Sequence, residues 1–132
     1  MEKTRSYKDL RVWQRSTDLA MEVYALSKNF PKDELYGLTS QIRRASISIP
    51  SNIAEGSERK ANRDFLRFIR IASGSLAEVE TQLYMALRFG YIAEEEYKNV
   101  QPLMAEIGRM LNGFANNLAE QLATGDRLLA TH

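Results

Sequence analysis

Apolar residues advance by three and four along most of this chain, and that spacing is what most restricts the folds open to it. Between Asn62 and Phe89, the residues Phe65, Ile69, Ala72, Leu76, Val79, Leu83 and Leu87 are separated by 4, 3, 4, 3, 4 and 4 positions. Farther on, Tyr97, Val100, Met104, Ile107, Leu111, Phe114 and Leu118 alternate steps of 3 and 4 without a break. Positions so spaced fall in one stripe of an α-helix, whereas a half-buried strand would alternate with period two, as no segment here does. The chain is therefore read as all-α.

Local signals divide it into four helices. The first starts near Ser6, where Ser6 and Asp9 stand three apart as in a capping box, and ends at Asn29-Phe30-Pro31. A second opens at Asp33 and Glu34, whose charges suit a helix N-terminus. It runs through Leu35, Leu38, Ile42, Ala45 and Ile49 to Glu55, with Gly56 as its stop. The third spans Asn62 to Phe89, and the fourth follows the Gly90-Tyr91 turn. Four long helices with short connections predict an antiparallel up-down-up-down four-helix bundle, packed at roughly 20° between neighbours. Residues 1–132 form one domain with its core in 7–124 and a frayed end from Gly125 to His132.

Pro50 and Pro102 fall inside helical patterns, so each is expected to bend its helix. At Pro50 the freed carbonyl is that of Ser46, which the hydroxyls of Ser46 and Ser48 would help solvate; at Pro102 a new helix starting there is the alternative. Gly37, Gly74, Gly108 and Gly113 also lie within helical patterns, where they are expected to let helices approach closely.

A length of 132 residues, 44% of them hydrophobic and 27% charged, suffices for a core and gives no sign of a membrane span. There is no cysteine, which excludes disulfides, thiolate metal sites and cysteine nucleophiles. With an opening MEKTRSYKDL that lacks the apolar stretch of a secretory signal, the expected setting is the cytoplasm.

Net charge is +1, unevenly placed. Residues 1–70 hold 14 Lys or Arg against 9 Asp or Glu, and residues 71–132 hold 4 against 8. Packing of the two halves against each other accounts for this asymmetry; attraction of an anionic partner is the other reading. On a wheel of the third helix, Arg63, Arg67, Arg70 and Arg88 fall within a sector of about 60° opposite the core stripe. Arg59 and Lys60 extend this ridge upstream. It reads either as a phosphate-tracking surface or as a solvated face partly neutralised by Glu55, Glu58 and Asp64.

The first helix is apolar on two sides. Leu10, Trp13, Ala20 and Tyr24 form one, and Val12, Leu19, Val23 and Leu26 the other. In a bundle of four helices the second contact is most economically another subunit, so Val12, Leu19, Val23 and Leu26, with Phe68 and Ile71 beside the third helix's stripe, are candidate oligomer contacts. The alternative is a first helix wedged deeply within its own monomer.

No catalytic constellation assembles. The one histidine is His132, the last residue, and no Glu-x-x-His motif, phosphate-binding glycine loop or nucleotide fingerprint occurs. The serines of Ala72-Ser73-Gly74-Ser75 have no histidine to activate them and are read as packing residues. No catalytic residue, metal, cofactor or small-molecule substrate is expected. Glu80 lies about 60° from the third helix's stripe and calls for a partner if buried, so Arg43, Arg44, Asn52, Glu55 and Glu80 are read as a structural polar network.

The run Gln41-Ile42-Arg43-Arg44-Ala45-Ser46-Ile47-Ser48-Ile49-Pro50-Ser51-Asn52-Ile53-Ala54-Glu55-Gly56 is more specific than a generic helix. Together with Tyr7-Lys8-Asp9-Leu10-Arg11-Val12-Trp13-Gln14, the Phe30-Pro31 turn with Glu34 and Leu38, Phe65, Ala72 to Ser75 with Glu78, and Gly90-Tyr91-Ile92, it resembles a bacterial family. That family is known from open reading frames in intervening sequences of 23S ribosomal RNA genes. The likeness spans roughly residues 7 to 120. It implies a cytoplasmic four-helix bundle that assembles as a homopentamer and has no known enzymatic activity. The family is also similar to accessory proteins of diversity-generating retroelements, basic pentamers that associate with a reverse transcriptase and nucleic acid. This chain's near-neutral charge departs from those relatives and leaves the arginine ridge to support nucleic-acid binding.

The leading expectation is a non-catalytic oligomeric binding protein that engages RNA or a ribonucleoprotein through the arginine-rich face. A homo-oligomeric scaffold for a protein partner, without direct nucleic-acid binding, is the alternative.

Overall fold

The computed structural model describes residues 6–130, with side chains described through Gly125. Among the described residues four α-helices occur, α1 (Arg11–Ser27), α2 (Leu38–Ser57), α3 (Asn62–Arg88) and α4 (Glu94–Ala130), with short 3-10 turns at Tyr7–Asp9 and Lys32–Glu34. No strand is present among the described residues. α1 packs on α2 and α4, and α3 packs on α2 and α4, while the diagonal pairs make no close approach. Cross-helix contacts fix the directions. Along α2 and α3, Gln41 meets Gln82, Ser48 meets Ser75 and Gly56 meets Phe65, so one helix rises as the other falls. Along α3 and α4, Asn62 meets Gln121, Phe65 meets Phe114 and Tyr84 meets Tyr97. The fold is the antiparallel four-helix bundle that the spacing predicts.

The stripes supply the core: Ile69, Ala72, Leu76, Val79 and Leu83 of α3 and Val100, Met104, Ile107, Leu111 and Leu118 of α4 are buried. They face Ile42, Ala45, Ile49 and Ile53 of α2, which are buried in the same cluster.

Helix ends differ from expectation where a short turn precedes the helix. The Ser6–Asp9 capping box forms, but it caps the 3-10 turn, and α1 begins only at Arg11. Likewise Asp33 and Glu34 sit in a 3-10 turn, and α2 begins after Gly37 at Leu38. The Glu34 carboxylate still serves α2, since its Oε1 accepts from Leu38 N–H at 3.2 Å. Its Oε2 accepts from the Tyr91 hydroxyl at 2.8 Å, tying the α1–α2 and α3–α4 connections together. That bond, more than burial, holds the Tyr91 hydroxyl above its ordinary pKa.

α3 ends in a Schellman turn: Tyr91 N–H donates to Ala86 C=O at 2.8 Å and Gly90 N–H to Leu87 C=O at 3.0 Å, with Gly90 at φ 80°. Both prolines are carried inside continuous helices, so α4 does not restart at Pro102. The serine hydroxyls near Pro50 are engaged elsewhere, Ser46 donating to Arg43 C=O and Ser48 facing Ser75. α4 also continues past Gly125 to Ala130, because nothing in Leu122 to Ala130 breaks a helix more strongly than one glycine. His132 lies outside the described residues.

The glycines divide. A Cβ at Gly56 would lie 2.7 Å from Phe68 Cβ and 2.9 Å from Phe65 Cδ1, so this glycine sets how closely α2 meets α3. At Gly74 and Gly113 a Cβ would meet nothing within 4 Å, and at Gly108 only Leu76 Cδ2 at 3.6 Å. Close approach within the chain therefore does not account for Gly74, Gly108 and Gly113. Gly37 is not helical at all but precedes α2.

Candidate nucleic-acid interface

The arginine ridge is positioned by the two helices that meet at Gly56. α2 ends at Ser57, a four-residue connection carries Arg59 and Lys60, and α3 starts at Asn62, so Arg59, Lys60, Arg63, Arg67 and Arg70 collect at one end of the bundle. All five are exposed. Asn62 Nδ2 donates to Gln121 Oε1 at 2.8 Å, anchoring this end of α3 to α4.

Phe68 organises the cluster. Its Cβ occupies the space that Gly56 leaves open, and the guanidinium carbons of Arg59 and Arg67 lie 5.1 Å and 4.9 Å from its ring centroid. Arg59 also donates to Glu55 at 2.7 Å, one turn back. Among the described residues, Lys60, Arg63, Arg67 and Arg70 have no ion pair within 4.0 Å. Of the acids expected to neutralise the ridge, only Glu55 forms an ion pair with it within 4.0 Å among the described residues. Arg63, Arg67 and Arg70 line a shallow surface depression with Asp64, Leu66 and Ile71.

Arg88 is not part of this group. It stands 18 residues beyond Arg70, about 27 Å along the helix axis. There it donates to the Tyr84 hydroxyl at 3.3 Å. A shared angular sector does not make neighbours of residues five turns apart.

The predicted oligomer contacts separate too. Val12, Leu19, Val23 and Leu26 are buried in the core of this same chain and are not available to a second subunit. The other apolar side of α1 is half-buried beneath local partners: Trp13 meets Tyr7 edge-on at 5.3 Å, and Arg43 covers Tyr24 at 4.6 Å. A helix apolar on two sides is thus satisfied by a 3-10 turn and an arginine of α2. Phe68 faces α2 and the arginines, and only Ile71 keeps an open surface.

The expected polar network does not form as a unit. Arg43 donates to Ser27 Oγ at 2.8 Å, Asn52 donates to Ser48 C=O at 2.7 Å, and Glu55 pairs with Arg59. Arg44 and Glu80 are exposed, since a long side chain at the edge of a stripe reaches water. The polar seam that does exist joins Ser48 to Ser75 at 2.8 Å, with Asn52 donating to Ser48 Oγ at 2.9 Å.

A second electrostatic feature escaped the sequence because its members are 91 positions apart. Arg15 Nε donates to Glu106 Oε1 at 2.8 Å, joining α1 to α4, and Arg11 approaches the same oxygen at 3.4 Å. The Arg15 hydrogen bond holds the Glu106 carboxyl below its ordinary pKa, and Arg15 is raised in return.

No group of three or more His, Cys, Asp or Glu able to hold a metal ion occurs among the described residues. Among the same residues, no helix is long and apolar enough to cross a membrane.

Residues 8–113 match the family described as 23S rRNA-intervening sequence protein. The chain belongs to this family. No curated protein matches it. Among solved structures, it is similar to the crystal structure of a protein with unknown function from the S23 ribosomal protein family of Bacteroides thetaiotaomicron VPI-5482. The two share 27% identity with a TM-score of 0.73, over 79% of this chain and 97% of that one. The matched segment of the intervening-sequence family includes Gly56, Phe68 and the whole cationic cluster from Arg59 to Arg70.

Proposed function

We propose that this chain is a non-catalytic, homo-oligomeric binding protein of the cytoplasm that engages RNA or a ribonucleoprotein through Arg59, Lys60, Arg63, Arg67 and Arg70. The observation that carries this reading is the cluster at the start of α3, where four cations lie exposed without an ion pair among the described residues. A concentration of unpaired cations attracts phosphate even on a nearly neutral molecule. Membership of a family named for an rRNA insertion supports RNA as the polyanion, and the absence of cysteine suits a reducing compartment. Ile47 and Ile71, 45% and 41% exposed on the outer face of α2 and α3, support assembly with further copies.

Binding of a labelled RNA across a salt series tests the proposal. Affinity is expected to fall steeply with salt, and replacing Arg63 and Arg67 together by alanine to lower the slope by about two, one for each phosphate left unneutralised. Binding that is absent at low salt, or insensitive to salt, overturns it.

A specific observation favours a second reading. Leu35 and Phe89 are exposed and Tyr36 is 94% exposed, all at the end of the bundle away from the arginines. Such residues suit a protein partner. Native purification with and without nuclease separates the two: a co-purifying protein that survives nuclease supports the scaffold, and co-purifying RNA the first reading.

A further inference from the structure

An aromatic side chain within a basic patch commonly offers a stacking surface to an unpaired base, and sequence-reading of single strands depends on such surfaces. Phe68 is the aromatic residue of this patch, yet its ring already carries Arg59 and Arg67 at 5.1 Å and 4.9 Å. Behind it stands α2, so close that a Cβ on Gly56 would lie 2.7 Å from Phe68 Cβ. Phe65 nearby is turned inward against Phe114, with ring centroids 5.2 Å apart. The exposed aromatics of this part of the chain, Tyr84 and Phe89, begin 16 residues farther along, about 24 Å up α3. Tyr7, which shares a surface depression with Arg59, is half-buried and meets Trp13 edge-on at 5.3 Å, so no aromatic ring of the cationic end is fully exposed among the described residues.

What the Phe68 ring does provide is a rest for two guanidiniums, whose carbons lie 5.1 Å and 4.9 Å from its centroid. Cation–π attraction holds the flat group over the ring and leaves its N–H edge for a phosphate, which it meets with two parallel hydrogen bonds. Arg67 has no carboxylate partner among the described residues. Arg59 shares its edge with Glu55, in an exposed pair that costs little to open.

We propose that Arg59 and Arg67, stacked on Phe68 with Arg63 beside them, form a phosphate clamp that grips a nucleic-acid backbone without reading its bases. This rests on the nucleic-acid reading above and specifies what is recognised. Glu55 is the internal competitor of the clamp: it holds Arg59 until a phosphate replaces it.

Fluorescence anisotropy with labelled oligo-U, oligo-A and mixed-sequence RNA of equal length, with inorganic polyphosphate as competitor, tests the clamp on the intact protein. Affinities for the three RNAs should agree within about threefold, and polyphosphate should displace each of them. Arg67→Lys keeps the charge but loses the planar fork, so affinity should fall about fivefold with the salt slope unchanged, whereas Arg67→Ala should lower the slope by about one. Glu55→Gln should tighten binding about twofold by freeing Arg59. Circular dichroism melting identifies any variant that fails to fold, and Arg67, being exposed, tolerates both changes. If RNA binds with a preference above about tenfold for one sequence, or binds equally well to both Arg67 variants, the clamp is wrong while the RNA reading stands. If the unaltered protein binds no RNA at low salt, both fall.

Discussion

At the scale of single residues, two glycines carry opposite kinds of constraint. Gly90 is needed for its backbone, since φ 80° lies in the left-handed region that closes the Schellman turn. Gly90→Ala should lower stability by about 1–2 kcal/mol, read as a reduced urea midpoint with an unchanged m-value. Gly56 is needed for its missing side chain. An alanine there would meet Phe68 Cβ at 2.7 Å, a clash that neither a rotamer change nor a flexible tip can relieve. Gly56→Ala should therefore push α2 from α3 at a cost of about 1–3 kcal/mol. It should also weaken RNA binding, because it displaces the ring on which Arg59 and Arg67 rest, and a calorimetric melt beside an anisotropy titration checks both. The turn at Gly90 is readable from the sequence, because Gly-Tyr interrupts a helical pattern. Gly56 is readable only as a helix stop, one residue from the actual end at Ser57, since its role depends on which residue of another helix faces it.

At the scale of helices, what is legible is what repeats. The three-and-four spacing of α3 and α4 specifies their core faces, which lie buried through their middles, while Phe65, Leu87, Tyr97 and Phe114 of the same stripes are half-buried. The partner of each flank is not legible, because a wheel gives direction without saying what lies there. Val12, Leu19, Val23 and Leu26 look equally apolar whether they meet another subunit or the core of their own chain, and Glu80 looks half-buried until its side chain is extended. The bridge between α1 and α4 belongs to the same class. With Glu106 held below its ordinary pKa by Arg15, the folded state binds its proton less readily than the unfolded chain. The bridge's contribution is therefore present above the ordinary carboxylate pKa and disappears as pH falls through it toward the folded value. Glu106→Gln should lower the urea midpoint at pH 7 and narrow the difference between pH 7 and pH 4. An equal drop at both pH values would show that the carboxylate contributes no charge interaction.

At the scale of the whole molecule, Gly74 tests whether the bundle is complete by itself. It lies in the middle of α3, exposed, and a Cβ on it would touch nothing within 4 Å. In an isolated bundle such a glycine only weakens its helix, so Gly74→Ala should raise stability by about 1 kcal/mol. Ile71 lies one turn away on the same helix, and Ile47 sits exposed on the neighbouring helix. If copies assemble over this outer face of α2 and α3, as proposed, the glycine admits a second backbone, and the same alanine should stabilise the chain while loosening the assembly. Light scattering on the unaltered protein should then give a multiple of 15.1 kDa. Ile71→Glu should reduce that mass to one chain, and Gly74→Ala should make it depend on concentration. A mass of 15.1 kDa for the unaltered protein removes the oligomer. A multiple that both substitutions leave intact keeps the oligomer and moves its interface to another face. The two effects of one methyl group, on the helix and on the assembly, oppose each other only if a second copy covers Gly74, which makes this substitution more telling than removal of a larger side chain.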